Sequence, residues 1–159
     1  MNLQSALDQT AQIAGGGPTT GDRAGVYRGT GGITGIRVAY SLPLDSASLA
    51  NDGVVHVSVW DGTERTGGAG DLVVYTHRVR MKLLVSPGRS DYATAYGILT
   101  PYIPLYETTF NAKLQLNGSA WGSVIERYSA IGADDVYPDR LSLEIVLRVI
   151  QKDAGTFAA

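Results

Sequence analysis

The chain has 159 residues, of which 44% are hydrophobic and 18% are charged, and these values are typical of a single globular domain. Thirteen Lys and Arg residues face fifteen Asp and Glu residues, which excludes the strong positive field of a free nucleic-acid-binding protein. The absence of cysteine excludes thiol catalysis, disulfide bonds and cysteine-ligated metals. Because the sequence shows neither a signal-peptide pattern nor a run of about 20 apolar residues, we expect a soluble, unprocessed protein without a membrane segment.

The first 35 residues predict a helix and then a glycine-rich arm. Apolar residues recur at helical spacing between Asn2 and Ala14, and Gly15 to Gly17 then end the helix. The segment from Thr19 to Gly35 has six glycines and no periodicity, which is typical of a long loop. Its "GTGGITG" stretch does not fit a dinucleotide-binding loop, because Thr34 occupies the sixth position and a strand follows. A flexible arm is therefore the favoured interpretation.

Alternating apolar and polar residues predict five strands. Their approximate ranges are 36–40, 54–60, 72–85, 121–131 and 141–151. Between the second and third of these strands, Asp61 to Asp71 is polar and rich in glycine, so we expect it to be a hairpin tip that projects into solvent. The third strand is predicted most clearly, because one set of alternate residues is apolar and the other set includes three cations.

Two helices are predicted between the third and fourth strands. Ser90 is expected to cap the first, with Asp91 near the positive end of its dipole, and this helix should end near Leu99. Thr100 and Pro101 are expected to begin the second helix. Its predicted buried stripe consists of Ile103, Tyr106, Phe110 and Leu114.

This order of elements predicts an α+β fold, in which a mainly antiparallel sheet packs against helices. We expect residues 1–35 to form the N-terminal helix and the flexible glycine-rich arm. Residues 36–152 should form a single α+β domain with a long hairpin loop, and residues 153–159 a C-terminal tail.

Few residues of the sequence suggest chemistry. His56 and His77 lie at the centres of strands, where a partly buried structural residue is favoured over a catalytic base, and two histidines without a third ligand give weak support for a metal. In "GADDVYPD", Asp134 and Asp135 are interpreted as turn residues, with cation binding or a shared proton as the alternatives. We therefore expect no enzyme activity, no catalytic residues, no metal and no cofactor.

Charged residues provide the candidate contacts with other molecules. Arg78, Arg80 and Lys82 form a row on one face of the third strand, and Arg148 and Lys152 can form another row on the last strand. These rows are consistent with a solvated face, with a subunit interface, or with the lining of a channel that carries DNA. The candidate interface residues, which include positions in the arm and the hairpin, are Arg23, Arg28, Glu64, Arg65, Arg78, Arg80, Lys82 and Arg148.

The layout of the chain resembles that of the tail terminator (tail completion) family of long-tailed bacteriophages. The similarity lies in the N-terminal helix, the loop around "YSLPLDSASLA", the long strand "LVVYTHRVRMKLLVSP", the helices over "SDYATAYGILTPYIPLYETTF" and the closing strands "WGSVIERYSAIG" and "DRLSLEIVLRVIQKD". It covers roughly residues 36–152. No single signature motif carries it.

The resemblance implies a structural virion protein that forms a homohexameric ring on the end of the tail tube. Such a ring stops tube polymerisation and joins the tail to the neck. The implied partners are further copies of the chain, the tail tube protein, a neck or head-tail connector protein, and DNA that passes through the ring without sequence-specific binding. Assembly in the host cytoplasm and a final location in the virion follow from the same resemblance.

Two alternatives remain open. The first is a tail tube or head-tail joining protein, which differs from a terminator in the ring faces that bind further subunits. The second is a small enzyme or ligand-binding domain, which would use His56, His77 and the loop from Asp134 to Asp139.

Overall fold

The computed structural model describes residues 2–17, 24–67 and 72–154. These residues form three α-helices and one sheet of seven strands. The helices are α1 (Leu3–Gly15), α2 (Tyr92–Leu99) and α3 (Tyr102–Asn111). The strands are β1 (Val26–Tyr27), β2 (Ile36–Tyr40), β3 (Val54–Gly67), β4 (Leu72–Leu84), β5 (Gly122–Tyr128), β6 (Gly132–Ala133) and β7 (Leu141–Ala154).

The sheet has the order β1-β2-β3-β4-β7-β5, and β6 also pairs with β7. Every pairing is antiparallel except that of β2 with β3. The long strands β3, β4 and β7 lie side by side at the centre, whereas β1 and β5 lie at opposite edges. The predicted α+β fold with a mainly antiparallel sheet is therefore confirmed.

The two faces of the sheet have different coverings. Alternate residues of β4 and β7 point to an inner face, where Val79, Met81, Leu83, Ile145 and Leu147 pack against all three helices. The outer face has a smaller apolar cluster, in which side chains of two loops cover strand residues. That cluster consists of Val38, Tyr40, Leu49, Val55, Val57, Leu84 and Tyr137.

Helix α1 belongs to the body of the protein. Asn2 caps it by accepting a hydrogen bond from the Ser5 backbone N–H, and its apolar stripe packs in the main core beside the sheet. The sequence predicts this helix, and its buried residues share the main core with strands of the predicted 36–152 domain. No helix in the described part of the chain has the length and hydropathy needed to cross a membrane.

The described part of the glycine-rich segment packs on the end of α1. Ile33 is buried, and its N–H donates to the Ala14 carbonyl oxygen. A Cβ atom on Gly15 would lie 2.2 Å from the Tyr27 carbonyl oxygen, and one on Gly32 would lie 2.5 Å from the Gly15 carbonyl carbon. These glycines therefore permit close backbone contact. The described residues of the predicted flexible arm therefore pack on the body of the protein, and residues 18–23 lie outside the described ranges.

One strand boundary differs from the prediction. Strand β3 continues to Gly67 across a register shift between Trp60 and Thr63, so Asp61 to Gly67 is strand rather than hairpin loop. The backbone of this polar stretch is hydrogen-bonded in the antiparallel ladder with β4. Residues 68–71 of the predicted tip lie outside the described ranges.

The helix ends also differ in detail. Asp91, and not Ser90, caps α2, because the Asp91 carboxylate accepts a hydrogen bond from the Thr94 N–H. Pro101 occupies the N-cap of α3 without a side-chain hydrogen bond. The stripe of α3 includes Tyr106 and Phe110 as predicted, but Leu114 lies beyond the helix and is exposed.

Candidate subunit interface

The outer face of β4 carries the row of cations that the sequence predicted. Arg78 is partly exposed, Arg80 is mostly buried and Lys82 is completely buried, with side-chain exposures of 39%, 20% and 0%. The expectation that Lys82 lies on an accessible face is therefore wrong. The loop from Asp134 to Arg140 supplies the groups that enclose it.

Three carboxylates surround the Lys82 ammonium group. Its Nζ atom lies 3.1 Å from both carboxylate oxygens of Asp134 and 3.6 Å from Oε1 of Glu144, and it also donates a hydrogen bond to Asp135. That hydrogen bond lowers the pKa of the Asp135 carboxyl. A charge can be buried at acceptable cost when it is paired and hydrogen-bonded in this way.

Asp134 also has the turn role that was predicted for it. Its Oδ2 atom accepts hydrogen bonds from the backbone N–H groups of Val136 at 3.0 Å and Tyr137 at 2.9 Å, and its Oδ1 atom accepts one from Ser142 Oγ at 2.9 Å. Oxygens of Asp134, Asp135 and Glu144 lie within 4.8 Å of one another, close enough to share a cation. The Lys82 ammonium is that cation.

Arg78 and Arg80 are also paired with acids. Arg80 lies 3.5 Å from Asp61 and 3.4 Å from Glu144. Arg78 donates to Glu126 at 3.2 Å and lies 3.7 Å from Glu64. The hydrogen bond and charge of Glu126 raise the pKa of the Arg78 guanidinium. The row is therefore part of an ion-pair network and not a basic patch.

The seven candidate interface residues that the structure describes do not form one surface. Arg80 and Lys82 share the carboxylates of Asp135 and Glu144, whereas Arg78 pairs separately with Glu64 and Glu126. Arg148 is exposed on β7, directly opposite Arg78 in the β4–β7 ladder. Arg65 is exposed on β3 and Arg28 directly follows β1, while Arg23 lies outside the described residues.

His56 belongs to a linear series of buried hydrogen bonds. The Thr10 hydroxyl donates to the Leu7 carbonyl oxygen, so at its 2.7 Å contact with Ser58 it accepts. Ser58 Oγ must then accept from His56 Nε2 at 2.7 Å, and His56 Nδ1 accepts from the Tyr106 hydroxyl at 2.7 Å. Burial lowers the pKa of His56 from 6.5 to about 3, so the ring is neutral and joins α1, β3 and α3.

His77 has an equivalent structural role at the other end of the sheet. Trp60 Nε1 donates to Thr63 Oγ1, which lies 2.7 Å from His77 Nδ1. His77 Nε2 lies 2.9 Å from Oε1 of Gln151, and burial lowers the pKa of the histidine. Both histidines are completely buried, whereas the sequence predicted partly buried structural residues, and their ring nitrogens are used within the fold.

An exposed aromatic corner beside β5 was missed by the sequence reasoning. Trp121 is 59% exposed and Leu114 is 50% exposed, and they line a groove of about 660 Å³ together with Lys113. A second groove of about 400 Å³ is lined in part by Trp121 and Lys152. The Lys152 Nζ atom lies 3.5 Å from the centre of the Trp121 ring. We call Lys113, Leu114, Trp121 and Lys152 the Trp121 corner.

The sequence contained one signal for this corner. Trp121 follows the turn "LNGSA" and comes directly before a strand, so the flanking sequence does not predict a buried position for its side chain. In the structure, its backbone N–H pairs with the Ile150 carbonyl oxygen at 2.8 Å, while its side chain lies at the edge of the sheet. A second exposed pair, Tyr92 and Tyr96, lies on one face of α2.

Comparison of the chain with protein-family models and with curated proteins finds no match in either case.

Proposed function

We propose that the chain is the subunit of a closed homohexameric ring that caps the tail tube of a long-tailed bacteriophage and joins it to the neck. The observation that carries this proposal is the open sheet, whose two edges are different strands. A closed ring requires that one surface of each subunit meets a different surface of the next. A sheet bounded by β1 at one edge and β5 at the other has this asymmetry.

The distribution of exposed apolar side chains supports an assembling subunit. Several of the large apolar residues exposed by more than two fifths of their surface lie at the β5 edge, on α2 and in the middle of β3. They include Trp121, Tyr96 and Trp60. Grouped exposed aromatic residues are typical of protein contact sites. Because these exposed residues form separate groups, one group can contact a neighbouring subunit and another can contact a different partner along the ring axis.

The titratable groups make hydrogen bonds and ion pairs within the fold, and this favours the proposal over an enzyme or ligand-binding domain. His56 and His77, which motivated that alternative, are enclosed and hydrogen-bonded on both ring nitrogens. Asp134 and Asp135 hold Lys82. A general base must reach the proton of a bound substrate, and the histidines have no exposed surface from which to do so.

The proposal is tested by measuring the assembly state and the effect on tubes. Native mass spectrometry and electron microscopy of the purified protein should show discrete closed rings. Added to growing tail tubes, the rings should bind one end and stop elongation. A tube protein would instead lengthen the tubes or polymerise alone. A protein that remains monomeric and leaves tube growth unchanged would contradict the proposal.

A further inference from the structure

The acidic loop, defined here as residues 134–139, presents one apolar side chain from a rigid base. Val136 is 48% exposed, whereas Asp134 and Tyr137 on either side of it are buried. Asp134 fixes the loop through Lys82 and two backbone N–H groups, and the Tyr137 hydroxyl donates to the Leu44 carbonyl oxygen at 2.7 Å. Val136 is therefore held in place before any partner binds, which lowers the entropy cost of binding.

The surroundings of Val136 are acidic. Asp135 and Asp139 are exposed on the same loop, and Asp61 and Glu144 lie in the adjoining ion-pair network. Together with Asp134, these five carboxylates outnumber the three nearby cations, which are Arg80, Lys82 and Arg140. The loop is thus an apolar knob within a negative surface.

The Trp121 corner has the complementary properties. Leu114 and Trp121 border the larger groove, which Lys113 also lines, and Trp121 borders the smaller groove together with Lys152 and Asp153. Lys152 contacts the ring of Trp121 and is exposed. An apolar side chain flanked by carboxylates can therefore enter beside Trp121 while its acids approach the lysines.

The acidic loop cannot reach the corner of its own chain. Ser142, which is bonded to Asp134, and Ile150, which is bonded to Trp121, are eight residues apart on β7. At about 3.4 Å per residue this separation is about 27 Å. Because the two complementary surfaces lie at opposite ends of a rigid strand, their contact requires two copies of the chain.

We propose that the Trp121 corner of one copy binds the acidic loop of the next copy, with Val136 inserted beside Trp121. This inference rests on the proposed ring and identifies the contact that closes it. The contact joins two different surfaces, so it is heterologous, and an open chain of copies has an unused corner at one end and an unused loop at the other until the ring closes.

The test uses two variants that each lose one side of the contact. The corner variant carries Trp121→Ser and Lys152→Glu, and the loop variant carries Val136→Lys, all at exposed positions. Each variant alone should lose the ring and remain monomeric in native mass spectrometry. An equimolar mixture should form a 1:1 dimer and no ring, because the intact loop of one variant can bind the intact corner of the other. Arg89→Glu, at an exposed position elsewhere, is the control and should keep the ring.

The outcomes separate this contact from the ring proposal. If both variants still form rings like those of the wild type, the corner–loop contact is wrong and the ring proposal stands. If the wild type remains monomeric at millimolar concentration and ignores tail tubes, the ring proposal fails and the contact fails with it. Circular dichroism and thermal unfolding establish that the variants are folded. If the mixture of folded, monomeric variants gives no dimer, the heterologous contact is refuted.

Discussion

Replacing Lys82 with methionine tests the buried ion-pair network. The substitution keeps a long side chain but removes the ammonium that lies among Asp134, Asp135 and Glu144. Removing one partner of a buried ion pair typically costs about 3–5 kcal/mol. Asp134 retains hydrogen bonds from Ser142 and two backbone N–H groups, so we expect a loss of about 3 kcal/mol, at the lower end of this range.

The expected loss depends on pH in a defined direction. Lys82 lowers the pKa of Asp135 below its ordinary value of 3.8. The stabilisation from this shift is therefore present above that value and is lost as the pH falls below it. In the variant, acid instead relieves the repulsion among the unpaired carboxylates. The difference in the free energy of unfolding between the two proteins should thus narrow as the pH falls below 3.8.

Urea unfolding followed by tryptophan fluorescence measures these differences, because the chain has two tryptophans. The double variant Lys82→Met with Asp134→Asn should recover at least about 1 kcal/mol of the loss, since a neutral amide no longer needs the ammonium. Arg148→Met, at an exposed site on the neighbouring strand, is the control and should change stability little. A loss below about 1 kcal/mol for Lys82→Met at pH 7, or a loss independent of pH, would refute the role given to Lys82.

Three further substitutions test other parts of the structure by the same unfolding assay. As the pH falls from 6.5 towards 3, the unfolded chain binds a proton that neutral His56 does not. The wild type should therefore lose about 1.4 kcal/mol per pH unit more than His56→Gln, and parallel pH profiles would contradict a buried neutral ring. Gly32→Ala places a Cβ 2.5 Å from backbone carbon of Gly15 and should cost about 1–3 kcal/mol, whereas Gly88→Ala, in open space, should not. Tyr137→Phe removes a hydrogen bond to the loop that covers the outer face and should cost about 1 kcal/mol; an unchanged midpoint would show that this bond is unimportant.

Periodicity predicted those elements whose burial follows one face. The alternation in β4 and β7 and the helical spacing in α1 report directly on the main core, and the structure places those residues there. The length of β3 was missed because Asp61 to Gly67 has polar side chains. Its strand conformation comes from pairing with β4, which sequence periodicity does not register.

The environment of the candidate residues was harder to predict than the strands that carry them. Lys82 has the polar parity expected of a surface residue, but a loop about fifty positions later in the chain encloses it. The corner depends similarly on contacts between distant residues, since Trp121 meets Lys152 only after β5 pairs with β7. The alternation along a strand identifies the sheet face on which a side chain lies. The exposure of that side chain depends on the other segments of the chain that pack on the same face.

The most direct test of ring formation is native mass spectrometry of the unmodified protein, followed by addition of the same sample to elongating tail tubes. We predict one discrete mass of six copies and tubes that stop growing once their ends are occupied. A single-copy mass together with undisturbed tube growth would contradict the proposed function.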